Sequence, residues 1–266
     1  MLYDEVIRFG VMLLIFTPLE ILFPRRDIAI ARAHRLTDLL YIFVASVITA
    51  AFTTIIMLGG AATLSPLAHE GVQNWVGGLS LWVSVPLMML VADIGYYWVH
   101  RLHHEIPALW KLHAIHHSIE EMDWMAAHRV HPIDQALTRG ISFVPVILLG
   151  FSSSTVVIWA FIFAYQSLLK HSNVRVGFGL MRWVFVDPVY HHWHHANQSE
   201  AFDRNYAGQL PVLDLVFGTA FMKTADTLMH YGTDTKVPDS FVGQILHPLS
   251  IKKLRKSKMP VAKTWQ

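Results

Sequence analysis

Three short stretches carry histidines at helical spacing: His100-Arg101-Leu102-His103-His104, His113-Ala114-Ile115-His116-His117 and His191-His192-Trp193-His194-His195. Side chains three or four apart on a helix are neighbours on its surface. His100 and His104 can therefore point together, while His103 need not. His113 with His116 and His117, and His191 with His194 and His195, repeat the pattern. Asp187-Pro188 precedes the third stretch and suits a helix N-cap followed by proline at the first helical position. Two single histidines join them, His131 in His-Pro-Ile-Asp and His171 in Lys-His-Ser-Asn. His34, His69, His230 and His247 stand alone and read as surface or satisfied core residues. One HxxxH is a weak signal, but three clusters in one chain are not. Crowded imidazoles repel one another when protonated and leave polar nitrogens to satisfy when neutral. Bound metal removes both costs.

Imidazole suits zinc, copper, iron and nickel. The chain has no cysteine, which excludes disulfides, thiolate zinc sites, iron–sulfur clusters and thiolate-ligated haem. Eight clustered histidines and two single ones make about ten, too many for one ion. Two ions with about five imidazoles each keep an open position apiece, and open positions suit O2 chemistry at iron. Neutral ligands leave positive charge at the metals. Asp93, Asp134 and Asp187 are candidates to temper it, with helix capping the role that the position of Asp187 suggests.

The elements that must position these residues are mostly apolar. Of 266 residues, 53% are hydrophobic and 15% charged, against about 25% charged in a soluble globule. Much of the surface need not face water. Apolar runs at 6–23, 39–58 and 79–99 are each near the ~20 residues a helix needs to cross the hydrocarbon core. The first holds Pro18 and the third is interrupted only by Asp93. A glycine-containing loop is expected over 59–78. Residues 100–140 are polar and histidine-rich. Residues 141–169 contain no Asp, Glu, Lys or Arg, with Gly150 and Ser152 to Ser154 in their middle. That reads as a helical hairpin with arms of ~14 residues. Arginine and lysine crowd the 24–36 loop and the C-terminal tail (Lys252, Lys253, Arg255, Lys256, Lys258, Lys263) and are absent from 59–78. The positive-inside rule puts the 24–36 loop and the tail in the cytoplasm. That topology gathers every dense histidine segment at the cytosolic face. The net charge of +2 does not suggest nucleic acid.

The chain resembles the fatty acid hydroxylase / sterol desaturase superfamily over about residues 90–222. The residues that carry the resemblance are Asp93 to His104 (DIGYYWVHRLHH), Trp110 to Ser118 (WKLHAIHHS), His128 to Asp134 (HRVHPID), His171 to Val174 (HSNV) and Asp187 to Ala196 (DPVYHHWHHA). The later Asn205-Tyr206-Ala207-Gly208 and Asp214 to Thr219 also look like that family's ending. The resemblance implies an all-α integral membrane helical bundle with a cytosolic histidine-rich helical cap and two irons held by histidines. By position it implies His100, His104, His113, His116, His117, His191, His194 and His195 as iron ligands, together with His171. Some relatives have a histidine four residues before His171, where this chain has Ser167; His131 is then the candidate tenth ligand. His103, His128 and His192 are expected behind the ligands or at the surface. Soluble ferritin-like di-iron proteins use carboxylates with Glu-x-x-His instead, and no such motif pair is evident.

The expected organisation is one structural domain. Residues 1–99 form N-terminal transmembrane helices, 100–222 a histidine-cluster catalytic domain including a membrane hairpin at about 136–169, and 223–266 a basic C-terminal tail. The resemblance further implies O2-dependent hydroxylation of a lipid C–H bond, with the lipid entering sideways from the bilayer. No flavin or nicotinamide fingerprint is present. An external electron donor is therefore implied, a ferredoxin or a cytochrome b5 with its reductase. Desaturation on the same site is the nearest alternative. A membrane metal hydrolase using bound hydroxide and a non-catalytic metal-binding or transport protein are the others. A transporter would place polar groups at the midplane of its spans, where this chain has Asp93 alone.

Overall fold

The structure, a computed structural model, describes residues 2–29, 32–223 and 230–250. The basic tail from Lys252 onward lies outside the described residues. Among the described residues the regular structure is helical, with isolated bridges pairing Pro24 with Val174 and Ala196 with Tyr231.

Helix α1 (Leu2–Leu22) covers the first apolar run. Helix α2 (Arg35–Leu67) is 33 residues long and contains a π-helical turn at Tyr41–Ala45. A short α3 (Glu70–Gly77) follows, then the 25-residue α4 (Leu81–Glu105). Among the described residues α2 and α4 are long and apolar enough to cross a membrane. The 59–78 segment is mostly helical rather than the expected loop. Gly59 and Gly60 are followed by Ala61 and Ala62, which propagate a helix well. The break falls at Pro66, at the start of a 3-10 turn.

Polarity runs opposite to that of a soluble protein. Ile55 and Leu58 on α2 and Trp82 on α4 are 65%, 66% and 93% exposed, while Asp38, Asp187 and Asp214 are fully buried. Apolar outer faces on the long helices suit contact with lipid.

The hairpin is α6 (Pro132–Leu149) and α7 (Ser153–His171), preceded by α5 (Pro107–His117). Gly150, in the left-handed region at φ 74°, closes α6. The Ser152 Oγ accepts the Thr155 N–H at 3.2 Å and caps α7. The turn sits where the Gly-Ser signal puts it. The arms are 18 and 19 residues, longer than expected, because α6 starts at Pro132, well before the uncharged run. Helix α6 packs along α2 and α4, and α7 along α4 and α8 (Pro188–His194). Contact between α4 and α6 is backbone-close: a Cβ on Gly95 would lie 2.8 Å from the Ser142 Cα. Two short helices, α9 (Val212–Val216) and α10 (Phe241–Leu246), complete the fold.

Candidate metal centre

Histidines from four helices converge at one end of this bundle. Helix α4 does not stop where its apolar run ends. It continues to Glu105 and so carries His100 and His104 on its last turns. Helix α5 brings His113, His116 and His117, and α7 ends on His171. Asp187 caps α8 by accepting the Tyr190 N–H at 2.8 Å; α8 brings His191 and His194, with His195 at its C-cap.

Nine rings sort into two groups able to hold a metal ion: His100, His104, His113, His117 and His194 in one, His116, His171, His191 and His195 in the other. Within each group the ligand nitrogens lie within 4.8 Å of one another. The HxxHH spacing divides its labour. Each i,i+4 pair stays within one group (His100 with His104, His113 with His117, His191 with His195), while His116 and His194 reach the other group. The motif's interleaved residue on α4, His103, joins neither. Its Nδ1 donates to the Val99 carbonyl at 2.8 Å, and its Nε2 lies 3.6 Å from Asp134.

The hydrogen bonds fix the tautomers. Nδ1 donates to a carbonyl in His100 (Tyr206, 2.7 Å), His116 (Arg129, 3.2 Å), His171 (Ser167, 2.7 Å) and His194 (Arg204, 2.7 Å). In His113 it donates to the Asp134 carboxylate at 2.8 Å. A carbonyl only accepts, so these rings carry their proton on Nδ1 and a lone pair on Nε2. Yet Nε2 of His100 lies 3.0 Å from Nε2 of His113, and Nε2 of His116 lies 3.1 Å from Nε2 of His171. Two facing lone pairs cannot bond to each other. A cation between them satisfies both, so the donor set in each group fits a metal ion.

Protonation is not an alternative escape for His100, His104, His116, His117, His171, His191, His194 or His195. None of the nine rings is more than 8% exposed. Burial, and then the neighbouring His113, pushes His116 down to about 3. Burial likewise holds His117, His191, His194 and His195 well below the ordinary imidazole range. Burial alone would raise the Asp134 carboxyl, but the facing His103 and His113 outweigh it and hold it below its ordinary range.

His131 stands outside both groups. Its Nδ1 accepts the Ile133 N–H at 3.2 Å, which caps α6, and its Nε2 donates to the Ile245 carbonyl at 3.1 Å. Both nitrogens are committed, so the groups hold five and four rings rather than five each. Of the three carboxylates, Asp134 touches a ligand ring. Asp93 accepts backbone N–H bonds from Gly208 (2.8 Å), Gln209 (3.0 Å) and Leu210 (2.7 Å), and so holds the loop whose Tyr206 carbonyl anchors His100. Asp214 grips the same loop through the Tyr206 and Ala207 N–H groups. His192 is buried and hydrogen-bonded with the Tyr231 hydroxyl at 2.7 Å. His128 is half-buried. His34, His69 and His230 are exposed, and His247 is buried apart from the groups.

Two supports carried no sequence signal as site residues. Arg32 and Arg129 bracket Asp38, with Arg32 also paired to Asp123 at 2.7 Å, all four buried. That lattice fixes the Arg129 carbonyl which orients His116. Lys170, 2% exposed, donates to the Gly208 carbonyl at 3.0 Å. Charges set in apolar surroundings were the available hint for both. A cavity of about 50 Å³ opens beside the two groups, with His100, His113, His116 and His171 on one side and Tyr96 and Phe163 next to them.

Comparison with known proteins agrees with this geometry. The chain is 30% identical over 206 residues to an ornithine lipid hydroxylase of Rhizobium tropici, a match covering 77% of this chain and 62% of that protein. It is 35% identical over 130 residues to the alkylglycerol monooxygenase of Homo sapiens, covering 49% of this chain and 29% of that protein. A fatty acid hydroxylase of a Lecanicillium species is 27% identical over 168 residues. The chain spans less than two thirds of the length of the first of these relatives and about a third of the alkylglycerol monooxygenases of Danio rerio and Homo sapiens. No solved structure matches it. The family model for fatty acid hydroxylases matches residues 85–219, half of the chain and every one of the nine converging histidines, and the chain belongs to that family.

Proposed function

We propose that the chain is a membrane-bound di-iron oxidoreductase that uses O2 to hydroxylate a C–H bond of a lipid, with His100, His104, His113, His117 and His194 holding one iron and His116, His171, His191 and His195 the other. The observation that carries this reading is the pair of histidine groups whose lone pairs face each other at 3.0 and 3.1 Å. Iron bound there supplies the redox chemistry by which O2 attacks an unactivated C–H bond.

The chain's own residues do the rest. Backbone carbonyls and Asp134 hold the Nδ1 protons and keep each ring aimed inward. The small cavity seats the target carbon against His100, His113, His116 and His171. Ala127, Val130 and Phe163 give the cavity an apolar side that keeps water from that part of the site. The lipid enters from the bilayer beside α4 and the α6–α7 hairpin. Hydroxylation consumes two electrons for each O2 and returns the second oxygen as water. Those electrons come from a separate ferredoxin or cytochrome b5 with its reductase, docking at the cytoplasmic face where the histidine groups lie.

The test supplies purified protein, a reductant system and a lipid extract under isotopically labelled O2. Label in a new hydroxyl is the expected result. A product two hydrogens lighter and free of label assigns the runner-up, desaturation. Turnover that proceeds without O2 rejects both.

A further inference from the structure

The cavity beside the histidines is not uniformly apolar, and its polar side comes from one helix. Gln135, Thr138 and Arg139 of α6 line it, and offsets of three and four put them on one face. The Thr138 hydroxyl is engaged with Asp134 at 3.3 Å. Arg139 has no hydrogen bond or ion pair with any described residue, and neither does the Gln135 side chain. Other arginines around the site are bonded: Arg32 and Arg129 to Asp38, Arg182 to Asp187, Arg101 to Glu105 and Arg204 to the Gly218 carbonyl. Arg139 is exposed at the cavity's edge, with the apolar Ile133 and Ile141 exposed on the same helix. It lies seven residues past Pro132, ~10 Å along the helix axis. A guanidinium set in a lipid-facing helix without a counter-ion marks a ligand path, and its planar fork matches carboxylate and phosphate oxygens.

We propose that Arg139 is the head-group anchor of this site: it holds an anionic oxygen group, carboxylate or phosphate, at one end of a single-chain lipid, with Gln135 as a second donor. The proposal rests on the hydroxylase reading and specifies its substrate. The same cavity is lined by Arg139 and by His100, His113, His116 and His171, and its volume is about 50 Å³, room for about three to five waters at ~10–15 Å³ each. Anchor and metal groups therefore share one small cavity. A linear chain passes such a space and a fused ring system does not. The oxidised carbon lies close to the head.

The test is equilibrium binding to the full, metal-loaded chain in detergent, which needs neither O2 nor an electron donor and so fails or succeeds separately from the hydroxylase reading. Three probes share one chain: hexadecanoate, hexadecyl phosphate and hexadecanol. Wild type should bind both anions more tightly than the alcohol. Arg139→Gln should weaken the anions by about ten- to a hundredfold, the range of a charge-assisted hydrogen bond, and leave hexadecanol unchanged. Arg139→Lys should recover part of the loss, since lysine keeps the charge but not the fork. Preference for one anion over the other identifies the head as carboxylate or phosphate. Anion binding that survives Arg139→Gln, as it would if the anion sat on the metal, overturns the proposal. So does an equal loss for the alcohol. Arg139→Lys and the Gln135→Leu variant apply the same criterion if the glutamine variant does not fold.

Discussion

Asp134 is where a single atom decides how firmly the centre is built. Its carboxylate accepts from His113 at 2.8 Å and from Thr138 at 3.3 Å, and it faces His103. Replacing it by asparagine keeps the shape and removes the charge that holds the His113 tautomer. Asp134→Asn should cost about 10- to 100-fold in metal affinity while leaving the helices in place. Competition against a chelator measures it, and an unchanged affinity would remove Asp134 from the support of the site. Acid acts on the rings directly. His116 sits at about 3 in the folded chain against about 6.5 when unfolded. Its folded value is depressed, so the stability it contributes is present above ~6.5 and drains away as pH falls toward 3. Metal-free protein should therefore melt at progressively lower temperature from pH 7 to pH 5, and the loaded protein should release metal over the same range. A melting temperature flat across that interval contradicts the buried neutral rings. At this scale the sequence was informative about which histidines converge and poor about what holds them. Eight of the nine converging histidines stood in the helical-spacing clusters, and the ninth, His171, stood alone. Their anchors are the carbonyls of Tyr206, Arg129, Ser167 and Arg204, and a backbone carbonyl looks the same whatever side chain it carries. His131 lies outside both groups and caps α6, a role that a histidine before Pro-Ile-Asp fills equally well.

The helices explain why three copies of one motif make two histidine groups. On α5 and α8 the i,i+4 pair and the interleaved i+3 ring diverge enough to serve different groups, so each of these helices ties both groups together. On α4 the corresponding ring, His103, turns back to its own helix. That arrangement needs α4 and α6 held tightly, because α6 carries Asp134 to His113. The close approach at Gly95 supplies the tightness. Gly95→Ala puts a methyl 2.8 Å from a backbone atom of Ser142, and an overpacked contact of this kind costs about 1–3 kcal/mol. Thermal unfolding in detergent should show the loss, and the same variant should lower metal occupancy by shifting α6. A neutral or stabilising outcome would mean that the two helices separate freely there. Elements were legible where a run was long or a breaker was plain. The hairpin turn followed from Gly150 and the serines, and the capped start of α8 from Asp187-Pro188. Helix ends were not. Helix α4 runs past its apolar stretch to Glu105, α6 starts before its own, and α2 reaches Leu67 through a pair of glycines, because packing and capping outweigh the hydropathy of the last turns.

At the scale of the molecule the two ends of the bundle are chemically different. The histidine groups, the α4 C-terminus, the start of α6 and the end of α7 lie together. At the other end α3 meets the hairpin turn, with the Gln73 amide donating to the Leu148 carbonyl at 3.1 Å. From Leu81 to His100 helix α4 rises ~29 Å at 1.5 Å per residue, which matches the ~30 Å hydrocarbon thickness of a bilayer. If α4 spans a bilayer, the histidines fall at one membrane face and the α3 segment at the other. Arginine and lysine mark the sides: they are dense in 24–36 and beyond 251, and absent from 59–78. The positive-inside rule predicts a cytoplasmic histidine end, the side on which reduced electron carriers are found. A reporter inserted near Gln73 should therefore score outside the cytoplasm, and one inserted near Glu120, just past the second histidine cluster, should score inside. Reversing the bias tests the cause. Replacing Arg25, Arg26 and Arg35 by glutamine should raise the fraction of chains inserted the other way round. Arg32 is left in place because it is bonded inside to Asp38 and Asp123. If both reporters score on one side, the bundle does not cross the bilayer along α4, and the apolar exterior of α2 and α4 would have to be covered by protein instead.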